Sequence, residues 1–182
     1  EVFRMVWKVM VNWGIIGFGR MGGQYLNCFL NKSSNFNLVG IASRSKKKLN
    51  KTFEKIELYN TYQDLMKSKF IDAVYISTLN NTHKNLVIEA IKYDKKVLCE
   101  KPLGLNYNEV KEIYRFIANK KNNFFEAIAY RTHPQTEALL EILKDKELGE
   151  IKKIDSSFGF KVKKIKKDSR LFNEKLGGGS IL

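Results

Sequence analysis

The sequence predicts an α/β chain built on a doubly wound parallel sheet, and two patterns carry that prediction. Apolar runs of strand length alternate with amphipathic runs of helix length through residue 128, as parallel strands joined by crossover helices require. The first apolar run, Trp13-Gly14-Ile15-Ile16, leads straight into Gly17-Phe18-Gly19-Arg20-Met21-Gly22 and then into a helix-like run. In that order Gly17 allows the tight strand-to-helix turn, Gly19 lets bare backbone approach a pyrophosphate, and Gly22 lets the helix pack closely on the strand. The N–H groups that open the helix then face the phosphate charge. A Rossmann-type dinucleotide layer is the expected result.

The elements follow in order. A helix is expected from about Met21 to Leu30, then a second strand from Asn37 to Ala42. Ser45 is placed to cap a lysine-rich helix. A short strand near Ile56 to Tyr59 leads to Thr61, after which Leu65 and Met66 begin the apolar side of a short helix. The fourth strand runs from Ile71 to Ile76, and Thr82 is placed to cap a helix from Lys84 to Tyr93. The fifth, Lys96 to Cys99, runs into Glu100-Lys101-Pro102. Asn106 opens a long helix with Val110, Ile113, Tyr114 and Ile117 at helical spacing, and Phe124 to Ile128 forms the sixth strand.

Beyond that point the pattern changes. His133-Pro134 starts a helix through Leu143, Gly149 stops it, and Glu150 to Val162 reads as one long strand of alternating character. Residues 10–130 therefore read as the dinucleotide-binding domain and 131–182 as the incomplete start of an α+β domain for substrate and oligomerisation. Residues 1–9 read as an extension outside the fold, because Met10-Val11-Asn12 has the look of a start. The closing Leu176-Gly177-Gly178-Gly179-Ser180-Ile181-Leu182 resembles the entry to another helix, so the chain reads as truncated.

Composition narrows the classes of function. With 43% hydrophobic residues, 12 Phe and 8 Tyr in 182 residues, there is ample material for a core, and a disordered chain is excluded. The net charge of +14 raises nucleic acid or an anionic membrane as a partner. The basic residues are dispersed, however, in short groups at Lys46 to Lys48, Lys95-Lys96, Lys120-Lys121 and Lys152-Lys153. That is the pattern of a solvated surface, and neither nucleic acid nor membrane is expected as a partner. The tightest group, Lys161 to Lys167, keeps nucleic-acid binding open as a rival. No apolar run reaches the roughly 18 residues of a membrane span, and residues 1–9 offer no signal-peptide cleavage site. Cys28 and Cys99 lack the spacing of a disulfide framework or a metal knuckle. They read as buried thiols of a cytoplasmic protein that needs no metal.

Nucleotide choice should be decided just past the second strand, where an acid holds the ribose hydroxyls and a base accepts a 2′-phosphate. The residues there are Ser43-Arg44-Ser45. With no carboxylate, and with a planar guanidinium flanked by hydroxyls, NADP is preferred over NAD. Glu100-Lys101-Pro102 falls at the carboxyl end of the fifth strand, the edge at which open α/β sheets bind ligands. Pro102 biases Lys101 away from helical geometry, which would hold its side chain on an extended turn. A lysine in so basic a chain is otherwise a solvated charge, and position alone does not separate the two.

Four motifs decide the matter together: the glycine turn, Thr78-Leu79-Asn80-Asn81-Thr82-His83, Val97-Leu98-Cys99-Glu100-Lys101-Pro102-Leu103, and Glu126-Ala127-Ile128-Ala129-Tyr130-Arg131-Thr132-His133-Pro134. In this order the chain resembles the Gfo/Idh/MocA oxidoreductases, the glucose-fructose oxidoreductase and inositol 2-dehydrogenase family. The tyrosine-arginine-x-histidine-proline run is most similar to the dihydrodiol and D-xylose dehydrogenase branch. The resemblance implies an NAD(P)-dependent enzyme that moves hydride between nicotinamide and a secondary alcohol or carbonyl of a sugar, cyclitol or diol, acting as a homo-oligomer when whole. It implies Lys101 at the reacting hydroxyl with Glu100 steadying the loop. Thr78, Asn80 and His83 would line the cofactor and pocket floor, and Arg131 and His133 would face substrate, although His133 before a proline equally suits a helix-entry contact. The chain departs from the family at Leu79, where proline is usual. The family's proton-transferring histidine or tyrosine falls beyond Leu182, so the chain by itself is expected to be inactive. A nucleotide-sensing module with the same fold and no chemistry is the alternative.

Overall fold

A computed structural model describes residues 10–32, 36–44, 56–118, 120, 124–146, 149–157, 159, 161, 173 and 176, with 27–32 as backbone alone. The chain divides into two compact units, 1–127 and 128–182.

The first unit is a single sheet of six parallel strands in the order β3-β2-β1-β4-β5-β6. In chain order the elements are β1 (Val11–Ile16), α1 (Arg20–Lys32), β2 (Phe36–Ala42), β3 (Glu57–Tyr59), α2 (Tyr62–Lys67) and β4 (Ala73–Ile76). A 3₁₀ turn (Asn80–Thr82), α3 (His83–Lys92), β5 (Lys96–Glu100), α4 (Tyr107–Ile117) and β6 (Phe124–Ala127) complete the unit. The sheet order reverses direction between β1 and β4, the place where doubly wound sheets open a ligand crevice.

The strands read as apolar runs because both faces are covered. Successive residues point to opposite faces, so Ile16, Ile76 and Cys99 join one apolar cluster with Leu65 and Met66 of α2, Leu86, Val87 and Ile91 of α3, and Ile113 of α4. Ile15, Ile41 and Tyr75 join a second cluster with Leu26 of α1. Each aliphatic side chain fully withdrawn from water in these clusters contributes about 2 kcal/mol. Caps fix the helix starts: Thr61 accepts from the Asp64 N–H and Asn106 from the Glu109 N–H.

Thr82 does not act as the expected side-chain cap. Its hydroxyl donates instead to the Leu79 carbonyl at 2.7 Å and makes no bond to the α3 amides. Lys95, expected on a solvated surface, is 8% exposed. Its ammonium donates to the Ser68 and Ile71 carbonyls, and burial pushes its pKa down. Ser45 and the lysine-rich helix expected after it lie outside the described residues, as does most of Lys161 to Lys167.

The second unit contains a 3₁₀ turn (Ala129–Thr132) and α5 (Pro134–Lys144). The helix ends at Lys144, one residue past the expected Leu143, and Lys146 in the left-handed conformation (φ 56°) closes it, ahead of Gly149 (φ 69°). The strand expected over Glu150 to Val162 is absent among the described residues. Alternation marks two faces, but a strand also needs a hydrogen-bonding neighbour, and among the described residues none is supplied. No helix among the described residues is long and apolar enough to cross a membrane.

Candidate functional site

The glycine turn is shaped by backbone. Gly17 adopts φ 88°, a left-handed conformation open to glycine, and its N–H donates to Ala42 O at 2.8 Å. A Cβ on Gly22 would meet Gly17 O at 2.6 Å, so only glycine brings α1 this close to the strand end. The Ser77 hydroxyl donates to the same Gly17 carbonyl at 2.7 Å, and Ser77 N–H donates to Ile16 O at 2.9 Å. The end of β4 thereby pins the end of β1. A Cβ on Gly19 would meet nothing within 4 Å, and the first turn of α1 carries no acid. Phe18, half-buried, packs against the apolar cluster on the α1 face. Arg20 is exposed and Met21 half-buried.

Beside this turn, Ser43 is buried and Arg44 exposed after β2, which places the guanidinium within the solvent at the carboxyl edge. After β4, Thr82 spends its one hydroxyl proton on Leu79 O, so the 2.6 Å contact between Thr78 Oγ1 and Thr82 Oγ1 has Thr78 as donor. Thr78 Oγ1 then keeps only acceptor capacity. Asn80 is 6% exposed and His83 wholly buried.

His83 Nδ1 lies 2.8 Å from Pro102 O; a carbonyl only accepts, so Nδ1 carries the proton and donates. That bond reaches the turn after β5, which is held at two further points. Tyr75 donates its phenol proton to Glu100 Oε1 at 2.6 Å, and the Leu103 N–H donates to Glu126 Oε1 at 2.9 Å. Burial first, and then the bond to Glu100, push the Tyr75 phenol above its ordinary value, which keeps it a donor. Burial, with Glu126 and Glu100 nearby, likewise pushes the Cys99 thiol up, so it stays neutral and is no nucleophile. Lys101 itself is exposed, and among the described residues its ammonium has no hydrogen-bond or ion-pair partner. The Lys101–Pro102 peptide is cis.

The first unit thus brings Gly17 to Gly22, Ser43, Arg44, Thr78, Asn80, Glu100 and Lys101 to the carboxyl ends of four of its parallel strands, with His83 buried beneath the last turn. Arg131 and His133 belong to the second unit. Both are exposed, and His133 Nδ1 accepts from the Gln135 N–H at 3.1 Å as the cap of α5, the helix-entry contact that its place before Pro134 suggested. Among the described residues no group of three or more metal-ligating side chains occurs.

A family model described as oxidoreductase family, NAD-binding Rossmann fold (Gfo/Idh/MocA) matches residues 11–128. The chain belongs to that family. A trans-1,2-dihydrobenzene-1,2-diol dehydrogenase from Xenopus laevis is 30% identical over 177 residues, covering 93% of this chain and 52% of the relative. The chain therefore spans about half the length of the curated relatives it matches. Among solved structures, scyllo-inositol dehydrogenase from Lactobacillus casei with bound NAD(H) and scyllo-inositol superposes with TM-score 0.73 at 22% identity, over 78% of this chain and 43% of that one. A variant 3-ketoreductase from Actinomadura kijaniata in complex with TDP-benzene and NADP gives TM-score 0.69 at 23% identity, over 78% of this chain and 44% of that one.

For a Gfo/Idh/MocA chain, the geometry fits a dinucleotide diphosphate. The space a Cβ would take at Gly19 is open, amides at the start of α1 are free of a competing acid, and the turn lies at the switch point of the sheet. Four residues that shape the site escaped the sequence reading. Tyr75 lay hidden in an apolar strand and Ser77 just past its end, Pro102 was read for its effect on Lys101 and not for its carbonyl, and Glu126 was quoted in a motif without a role. The one signal for Glu126 was a carboxylate inside the otherwise apolar run Phe124-Phe125-Glu126-Ala127-Ile128.

Proposed function

We propose that this chain is the dinucleotide-binding part of an NAD(P)-dependent oxidoreductase that moves hydride between nicotinamide and a secondary alcohol or carbonyl of a sugar, cyclitol or diol. The observation that carries the reading is the exposed Lys101 ammonium, without a partner among the described residues, on an anchored turn at the same sheet edge as the open glycine turn. The cofactor, when bound, supplies the hydride acceptor or donor. The α1 amides and Gly19 backbone would receive its diphosphate, and Arg44 with Ser43 would meet the adenosine ribose, with NADP preferred over NAD. Thr78 and Asn80, after the neighbouring strand, would face the nicotinamide half.

Lys101 would donate a hydrogen bond to the substrate hydroxyl oxygen and favour the negative charge that grows there as hydride departs. Its proton relay needs a second acid/base group, and among the described residues the Lys101 ammonium is hydrogen-bonded to none. The 182-residue chain alone is therefore expected to bind dinucleotide without turnover. Arg131 and His133 would contribute to the substrate side of a larger, homo-oligomeric, cytoplasmic protein.

The test pairs binding with turnover. Lys101→Ala in the present chain should leave NADPH affinity within about twofold, since an amine beyond the diphosphate adds little to it. In a form of the chain extended to the length of its relatives, the same substitution should remove at least about 99% of the turnover of a sugar, cyclitol or diol. A nucleotide-sensing module would show no turnover to lose. Arg44→Asp should reverse the order of NADPH and NADH affinity, and tighter NADH binding by the unmodified chain would defeat the NADP preference.

A further inference from the structure

We infer that Glu126 is a positioning residue which, with Tyr75 and His83, grips the Glu100–Leu103 turn from both faces of the sheet so that Lys101 alone projects from it. The inference rests on the proposed role of Lys101 and adds the means by which its ammonium is aimed.

The grip follows from register. Tyr75 pairs with Leu98 across β4 and β5, so Glu100, two residues on, shares its face, and the phenol reaches the carboxylate at 2.6 Å. Cys99 pairs with Glu126 across β5 and β6, on the opposite face, where Cys99 and Leu103 join the cluster formed with α3 and α4. From that side Glu126 Oε1 takes the Leu103 N–H at 2.9 Å, and His83, at the start of α3, takes the Pro102 carbonyl at 2.8 Å. Of four consecutive residues, three are tied to distant parts of the chain. Lys101 is the remaining one, exposed and untied among the described residues.

Glu126 is the informative member. Its neighbours in register and in the cluster are a buried thiol and a leucine that is 2% exposed, surroundings in which an apolar side chain is the inexpensive choice. A carboxylate there costs desolvation, and what it gains is a charge-assisted bond to a buried backbone N–H that would otherwise lack an acceptor. That bond fixes the residue at which the chain leaves the turn, while the bonds to Glu100 and Pro102 fix the two flanks of Lys101. A flexible four-carbon side chain is aimed mainly by its own backbone, so fixing those flanks is the available way to limit where the ammonium travels.

The experiment uses the whole 182-residue chain with NADPH. Amide hydrogen exchange at Leu103 should be slow in the unmodified protein, about tenfold or more faster in Glu126→Ala, and slow again in Glu126→Gln, whose amide oxygen still accepts. At equal NADPH occupancy, read by nicotinamide fluorescence, amine acylation of Lys101 should be shielded in the unmodified protein and in Glu126→Gln. It should be unshielded in Glu126→Ala, while Lys84 and Lys111 react alike in all three. A merely structural Glu126 would lower thermal stability without changing the shielding at equal occupancy, and that result overturns the inference. So does a Leu103 amide that exchanges in the unmodified protein as fast as that of Lys101, a measurement that needs no variant to fold. Failure of NADPH to shield Lys101 in the unmodified protein counts against the proposed function instead, and leaves the Leu103 exchange to judge the grip.

Discussion

The turn after β1 and the turn after β5 reach the same sheet edge by opposite means. The first is made mainly by removing side chains, with the distant Ser77 hydroxyl tying its carbonyl: Gly17 takes φ 88°, and Gly22 clears the space where a Cβ would stand 2.6 Å from Gly17 O. The second is made by adding them, with Tyr75, His83 and Glu126 each reaching in from elsewhere in the chain. A diphosphate needs bare amides and room, which a turn stripped of side chains provides. A single ammonium needs a fixed origin, which a turn held by side chains provides. The two construction rules match the two tasks proposed for them.

The contrast can be broken first at the glycine turn. Gly17→Val combines a left-handed backbone with a Cβ that would stand 2.7 Å from Thr78 Cγ2, and it should cost about 3 kcal/mol in urea unfolding and abolish dinucleotide binding. His83→Ala removes a wholly buried ring and its bond to Pro102. It should cost about 2 kcal/mol while the diphosphate end of the site keeps its affinity. Parallel losses of stability and affinity in that variant would mean the two turns are one cooperative unit. Ser77→Ala removes the 2.7 Å bond that pins the Gly17 carbonyl and should cost about 1 kcal/mol, with a modest rise in the NADPH dissociation constant. Asn106→Ala removes only the cap of α4, which accepts from the Glu109 N–H at 3.1 Å. It should cost close to 1 kcal/mol by thermal unfolding with unchanged NADPH affinity, and serves as the distant control.

The same contrast explains what was legible in the sequence. Gly17, Gly19 and Gly22 carry their instruction within six residues, and the caps at Thr61 and Asn106 bond within three, so local pattern finds them. The anchors of the second turn act across 25, 19 and 23 residues, so their own neighbourhoods do not name the partners they reach. Thr82 fitted the cap pattern, yet Leu79 O and the Thr78 hydroxyl engaged its side chain first, a competition that propensity alone does not rank. Lys95 fitted a charged surface pattern, but its stem crosses to two carbonyls left over at the ends of α2 and the following loop. The alternation from Glu150 to Val162 described faces without naming the strand to pair with, and pairing is what makes a strand.

The central claim is that the glycine turn after β1 receives a nicotinamide dinucleotide, and a fluorescence titration of the 182-residue chain with NADPH tests it most directly. The account predicts saturable binding by the unmodified chain and by Lys101→Ala, and none by Gly17→Val. Absence of saturable binding in the folded, unmodified chain, or undiminished binding by Gly17→Val, would contradict it.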